Sequence, residues 1–419
     1  MYQWSIHLIL LSVICFFYYK NIRYSALAPV FIPALLVKLL SGICLGLIYL
    51  KFYKGVGDTF LYYNYAVHYS PMVIEAPDRF LQFLFSNVTG DPSLSSQPRV
   101  LTFVKFASLI TFVSFNNYWI ATLYFSLISF VGFFYFANKI ASAVPEVKWF
   151  VAIAFLFFPS VVFWSSGFIK ESIVMPALLV VAGNFFSWVV EGKRIRFGQV
   201  IITLLMSGIV FYIKFYYAAV LIPVLMSLGI TKYLDNRVGL SLFKQASVFF
   251  IVLVSHCVVV SFLNPYLSIN TFLQSVYQNY EATLLLSSRD KIIHFYNLIP
   301  TLTSFAVNFP QALFAGLFRP LIVEADNILM VFTGLENTLL LLLTLNAFIT
   351  IKKRAGSIDW LFVTAAVVYI IVLASLLAFS SPNLGTLARY KIGFLPFFVC
   401  LLLWFSPLEK VVQKVGKPL

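Results

Sequence analysis

Residues Leu27 to Leu50 read LAPVFIPALLVKLLSGICLGLIYL, and Lys38 is the only formal charge among them. A helix rises about 1.5 Å per residue, so roughly 20 apolar residues cross the 30 Å or so of hydrocarbon in a bilayer. The runs Tyr118 to Ala137 and Asn327 to Ile351 have the same character. Backbone polar groups find no water at that depth, and only helices or closed barrels satisfy them internally. The alternating ten-residue segments of a barrel are absent from the sequence, which leaves helices. Hydrophobic residues make up 61% of the chain, charged ones 11%, and the mean hydropathy is +0.94. These values predict an all-α, polytopic transmembrane bundle. The simplest organisation is a single integral membrane domain over residues 1–419, since no stretch outside the apolar runs is long enough for a large independent domain.

Short inner loops favour Lys and Arg, which orients the spans. Lys20 and Arg23 place the end of the first helix inside, so the amino terminus is expected outside and the helix at about 27–50 returns outward. The first segment lacks a basic leading region and a small-residue cleavage site, and is expected to be a retained helix. An outer segment over 51–117 follows. Further spans are expected at about 118–137, 149–165, 171–190, 199–214, 216–231 and 245–263. A second outer segment at 264–325 precedes spans at about 326–350, 359–379 and 391–406. This makes about 11 spans, within a range of 10 to 13, with interfacial helices in the two long outer segments. Every inner loop is basic: Lys139 and Lys148; Lys193, Arg194 and Arg196; Lys232, Arg237 and Lys244; Lys352, Lys353 and Arg354; and finally Lys410, Lys414 and Lys417. Residues 101–115 are short for a span and carry Lys105, so they are read as a helix in the interface; as a span they would invert part of the topology.

On this threading the motif charges collect on the outer face. In GVGDTFLYYNYA, Asp58, Tyr62 and Ala66 recur every four residues, which stacks them on one face of a helix beginning at Asp58. Asp58 suits an N-cap, and a carboxylate at the membrane surface also suits accepting a proton from a hydroxyl. In FPSVVFWSSGFIKESI, Pro159 loosens one span, the Ser-Ser-Gly turn reverses the chain, and Lys170 with Glu171 opens the next helix. That pair suits holding a phosphate or orienting an acceptor, and equally suits a plain surface ion pair. Lys214, in FYIKFYYA, falls at the tip of a tight hairpin, where snorkelling to the surface competes with a functional role. Lys38 is read as snorkelling too. Arg319, Glu324 and Asp326 lie in LFRPLIVEADNILM ahead of a span carrying Glu336, an intramembrane carboxylate of the kind that marks a site or a buried partner. Arg319 suits bidentate phosphate binding. Arg389, Tyr390 and Lys391, in LARYKIGFLPFF, enter the last helix, where anchoring to anionic lipid is the competing reading.

Other classes are disfavoured. The formal charge of +14 sits largely in short loops between spans, so nucleic acid is not the expected partner. Cys15, Cys44, Cys257 and Cys400 are widely separated in apolar segments, and the four histidines are isolated, so neither a disulfide frame nor a zinc site is indicated. The sequence has no phosphate-cradling nucleotide loop, so a donor activated in the cytoplasm would have to arrive attached to lipid. A divalent cation such as Mg or Mn is the one cofactor considered, with Asp58 and Glu171 as ligands alongside Glu324. A transporter or flippase of lipid-linked glycans remains an alternative, although no repeat between the halves is evident.

Gly57-Asp58 with Tyr62 and Ala66 after an early helix, the long outer segments, and Arg389-Tyr390-Lys391 followed by Pro396 together resemble the GT-C class of polyprenyl-phosphate-dependent glycosyltransferases. The resemblance implies a GT-C-like, inverting enzyme of the bacterial inner (cytoplasmic) membrane with its active face outward. It implies a lipid-linked sugar donor and a glycan, lipid or protein acceptor, with Asp58 as catalytic base. Lys170, Lys214, Arg319 and Arg389 are the implied ligands of the lipid phosphate, with Tyr62, Glu171, Glu324 and Tyr390 beside them. An outer amino terminus and the lack of a large carboxy-terminal soluble domain depart from that class. The same early motif, Ser166-Gly167 with Lys170-Glu171, and the Arg319-Pro320 and Arg389-Tyr390 pairs also look like exopolysaccharide or O-antigen repeat-unit polymerases, which join lipid-linked oligosaccharides on the outer leaflet.

Overall fold

The computed structural model describes residues 2–87, 89–263, 268–287, 291–350 and 359–406. Regular structure among them is helical throughout, apart from one antiparallel bridge between Ile292 and Asn383. Lys352, Lys353 and Arg354, and the tail lysines at 410, 414 and 417, lie outside the described residues. By its own contacts the chain divides into two compact units, one of residues 1–184 and 195–215, the other of residues 185–194 and 216–419.

The first unit opens with α1 (Tyr2–Ile22) and α2 (Phe31–Lys51), then α3 (Asp58–Tyr69) and the short α4 (Met72–Glu75), α5 (Pro77–Phe85) and α6 (Pro92–Ser95). After these come α7 (Pro98–Val113), α8 (Tyr118–Ala143), α9 (Lys148–Ala152), α10 (Pro159–Trp164), α11 (Glu171–Val189) and α12 (Phe197–Ile213). The helix expected at 149–165 is broken. A π-helical turn over Ile153–Phe157 follows α9, Phe158 is extended, and α10 restarts at Pro159. Proline has no N–H to continue the ladder and its ring drives the preceding residue out of helical geometry, so the break falls at Phe158 and not at the end of the span. Beyond α10, Gly167 adopts φ +79° and its backbone lies against Gly42 of α2. A Cβ on Gly42 would run into Ser126 of α8 and the Gly167 backbone, so these small residues let three segments meet at backbone distance.

The second unit holds α13 (Phe215–Val238), α14 (Leu242–Leu263), α15 (Ile269–Leu286), α16 (Leu302–Phe318), α17 (Ile328–Thr350), α18 (Trp360–Ser380), α19 (Leu384–Tyr390) and α20 (Leu395–Phe405). Its core stacks Phe379 of α18 against Phe295 and Phe305, with ring centroids 4.8 and 4.7 Å apart. Gly316 brings α16 onto the Ala374 carbonyl of α18.

Among the described residues, eight helices are long and apolar enough to cross a membrane, or nine if the pair Leu384–Gly393 and Leu395–Phe405, bent by 71°, counts as one span. The eight coincide with eight of the expected spans, and the polytopic helical reading holds. The expected span at 391–406 is the second arm of the bent pair, and that at 199–214 is the 17-residue α12. Residues 302–318, expected within the second outer segment, form the apolar 17-residue α16. Residues 101–115 fall largely in the 16-residue α7, which packs against α3 and α12. Only 11% of α1, 6% of α14 and 17% of α17 are buried within the protein, and their side chains present an apolar wall suited to hydrocarbon.

Close packing at Gly42 gives a stability test. Gly42→Val is expected to destabilise the purified protein by roughly 1–3 kcal/mol, because two backbones and a serine would have to move. Gly208→Ala, in α12 with open space around it, is expected to be neutral or to stabilise by up to about 1 kcal/mol. Thermal unfolding in detergent checks both, and equal melting temperatures for the two variants would contradict the packing account.

Candidate functional site

Gly57, not Asp58, occupies the N-cap of α3, at φ +130° and ψ 177°. That backbone region belongs to glycine, and a Cβ there would also strike the Tyr49 ring. Asp58 is therefore the first helical residue, where its negative charge is favoured by the helix dipole. The start of α3 is held against α8: the Thr59 and Tyr118 hydroxyls are 2.8 Å apart, and Phe60 stacks on the Tyr118 ring at 4.6 Å. Tyr62 and Ala66 are buried on one face of the helix, as the four-residue spacing predicts, while Asp58 is half-buried at its tip.

Lys170 approaches this face, its ammonium 4.8 Å from the centre of the Tyr62 ring, one helical turn below Asp58. Such a contact contributes on the order of 0.5–2 kcal/mol. The Tyr62 ring also meets Phe103 edge-on at 5.3 Å. Glu171, next in sequence, does not share this placement. It is 1% exposed, and its Oε1 lies 3.0 Å from Nζ of Lys214. Lys214 occupies the one-residue break between α12 and α13, so the expected hairpin tip is a helix junction whose lysine turns inward to a carboxylate. Lys170 ends the turn that precedes α11 and Glu171 is the first residue of that helix, so the two neighbours reach different partners, the Tyr62 ring and the Lys214 ammonium. Among the expected residues, the first unit thus joins Lys170 to Tyr62, one turn from Asp58, and Glu171 to Lys214.

Arg319, Glu324, Arg389 and Tyr390 belong to the second unit. Nη2 and Nε of Arg319 lie 2.5 and 2.7 Å from Glu324 Oε1, and Glu324 Oε2 accepts the Leu321 N–H at 2.8 Å. Burial alone would push the Glu324 carboxyl up, but the Arg319 guanidinium and the Leu321 amide outweigh it and hold the group below its ordinary value. The guanidinium of Arg389 sits 5.1 Å from the ring of Tyr390, whose carbonyl accepts the Tyr217 hydroxyl at 2.6 Å. Asp326 pairs with Lys291.

Three residues outside the expected set carry much of this geometry. Lys391 is 1% exposed and donates to the Leu317 carbonyl at 3.1 Å and to Asn337 Oδ1 at 3.3 Å. Asn337 in turn donates to the Pro320 carbonyl at 2.8 Å, so the two side chains grip the backbone on either side of Arg319. In the first unit, Lys38 is only 4% exposed and does not snorkel: its ammonium donates to the Ser165 hydroxyl and lies 4.2 Å from the centre of the Phe133 ring. Lys391 stands in a motif that the sequence already singles out, Asn337 follows Glu336, and a lysine in mid-span is itself a signal; their partners, distant in sequence, leave no local trace.

The donor set at Asp58 and Glu171 suits a divalent cation poorly, because Lys214 already faces the Glu171 carboxylate. No group of three or more His, Cys, Asp or Glu side chains able to hold a metal occurs among the described residues.

Two outcomes follow from these pairings. Glu171→Gln or Lys214→Met alone is expected to cost about 3–5 kcal/mol, since each removes one half of a largely buried ion pair, whereas the double variant recovers most of the loss; additive losses in thermal unfolding would refute the pairing. Glu324 has a lowered pKa in the folded state, so its stabilisation is complete above its ordinary value of 4.5 and is lost as pH falls through the folded value. Melting temperatures of wild type and Glu324→Gln should therefore differ at neutral pH and converge on acidification, and a gap that widens toward low pH would contradict the assignment. Compared with protein-family models, with curated proteins and with solved structures, the chain matches none.

Proposed function

We propose that the protein is an inverting, GT-C-type glycosyltransferase of the bacterial inner membrane, moving a sugar from a polyprenyl-phosphate-linked donor to a glycan, lipid or protein acceptor on the outer face. The observation that carries this reading is the Lys170 ammonium over the Tyr62 ring, one helical turn along α3 from Asp58 at its tip. A lone carboxylate or a lone cation at a membrane surface has ordinary structural explanations. The two together, on a helix pinned by Thr59 and Phe60, supply a base and an electrostatic partner in fixed relation.

In the proposed reaction an acceptor hydroxyl gives its proton to the Asp58 carboxylate as its oxygen bonds to the anomeric carbon of the donor sugar. The bond from that carbon to the phosphate oxygen breaks, and its electron pair leaves with the polyprenyl phosphate. Attack opposite the leaving group inverts the anomeric configuration. Lys170 neutralises the charge gathering on the departing phosphate, with a compact ammonium suited to that task. Glu171 and Lys214, paired with each other, act as positioning residues that fix the start of α11 and with it Lys170.

Asp58→Asn is expected to preserve expression and folding while lowering turnover by about 10²–10⁴-fold. Mass spectrometry of lipid-linked and surface glycans, from cells lacking the protein and complemented with wild type or the variant, reads this directly. A missing sugar restored by wild type alone fits the transferase. Single unpolymerised repeats would move the assignment to a repeat-unit polymerase, and unchanged glycans in every strain would move it to a carrier.

A further inference from the structure

An open groove of about 520 Å³ runs along the outer face of α3, lined by Leu61, Asn64, Tyr65, His68, Tyr69, Gly90 and Asp91. Leu61, Tyr65 and His68 follow Asp58 at three-, seven- and ten-residue steps, the spacing of one helical stripe. At about 1.5 Å per residue the groove therefore begins roughly 4–5 Å along the axis from Asp58 and extends to about 15 Å from it. Its far wall is held in place. The Asp91 carboxylate caps α6 by accepting the Ser93 and Leu94 amides at 2.8 and 3.3 Å, and the hydroxyl of Tyr65 lies 2.9 Å from that of Ser93, tying the wall to α3. The floor is the Tyr69 ring, 7% exposed and stacked on Phe83 at 4.1 Å.

The lining decides what fits. Among the described residues it contains no Lys or Arg, which sets it apart from the surroundings of Lys170 and makes it a poor seat for a phosphate. An apolar lipid tail would bury the Asn64 amide, the His68 ring nitrogens and the Asp91 carboxylate without replacing their water, at a cost of roughly 1–3 kcal/mol for each neutral group. A ligand with many hydroxyls and flat apolar faces matches instead: the amide, imidazole and carboxylate exchange hydrogen bonds with hydroxyls while the tyrosine rings cover C–H faces. Gly90 has open space where a side chain would stand, which admits the ligand close to the backbone.

We propose that this groove binds the non-reducing end of a saccharide acceptor and delivers its terminal hydroxyl toward Asp58. The inference rests on the transferase reading above and narrows the acceptor to a glycan. Asn64, Tyr65 and His68 are specificity-determining residues that act on the acceptor and not on the lipid phosphate.

The test uses the full-length protein in proteoliposomes, with lipid-linked sugars extracted from cells lacking it as donor and saccharides released by mild acid from the same envelope lipids as acceptor. For Asn64→Ala and His68→Ala, both at exposed positions, KM for the acceptor is expected to rise about tenfold each, with kcat and the donor KM changing less than about twofold, the loss of one hydrogen bond worth about 1.4 kcal/mol. Size-exclusion profiles matching wild type establish that the variants are folded, and Asn64→Gln, which keeps the amide, is expected to recover part of the lost affinity. Transfer by wild type with acceptor KM unchanged in both variants would overturn the groove while leaving the transferase intact. An equal rise in donor KM would assign these residues to the lipid-linked donor and overturn it as well. Failure of wild type to transfer at all would overturn the transferase reading and the groove's role with it.

Discussion

A charge inside an apolar helical protein has to be met by a group the protein itself supplies, because no water stands ready to solvate it. The architecture is organised around three answers to that demand. Glu171 and Lys214 answer each other, a carboxylate and an ammonium 3.0 Å apart. Lys38 has a hydroxyl and the face of an aromatic ring. Lys391 has a backbone carbonyl and an amide oxygen. Each answer joins segments far apart in sequence, so the scarce charges fix which helices lie together and in what register. Dispersion and close approach at Gly42, Gly167 and Gly316 then complete the packing.

The Lys391 arrangement turns a liability into a support. Leu317 lies in the last turn of α16, where carbonyls lack partners within the helix. An ammonium satisfies one of them, while Asn337 satisfies the Pro320 carbonyl just beyond. Arg319 sits between the two gripped carbonyls, and its side chain is engaged by Glu324. The guanidinium is therefore held at both its base and its tip, the preorganisation that a binding group on a loop otherwise lacks.

Much of this fold was legible in the sequence because length and apolarity are local properties. Eight spans could be located from runs such as 28–51 and 360–380 without knowing what they touch. The misplacements have equally local causes. Pro159 was read as loosening a helix end, whereas its effect on Phe158 divides the segment midway. The apolar stretch 302–318 is shorter than a span and was absorbed into a long outer segment. Asp58 looked like a cap because its chemistry suits one, but the backbone angle at Gly57 takes that position. Of the candidate site, residue types and positions were legible, and the contact of Lys170 with Tyr62 falls among them. Its pairings were not, since nothing near Glu171 announces Lys214 and nothing near Lys38 announces Ser165.

The Lys38–Ser165 contact bears on how the protein is made. Ser165 follows Lys38 by 127 residues, so at about 5–20 residues per second the hydroxyl is synthesised roughly 6–25 s after the lysine. During that interval α2 must enter the bilayer carrying an ammonium that adds about 2.5–3.5 kcal/mol to its insertion free energy. The surplus of Leu, Ile and Val in α2 offsets that cost before any tertiary partner exists. The apolarity of this helix therefore serves biogenesis as well as the finished fold, and its leucines facing lipid cannot be exchanged for polar residues as freely as their exposure would suggest.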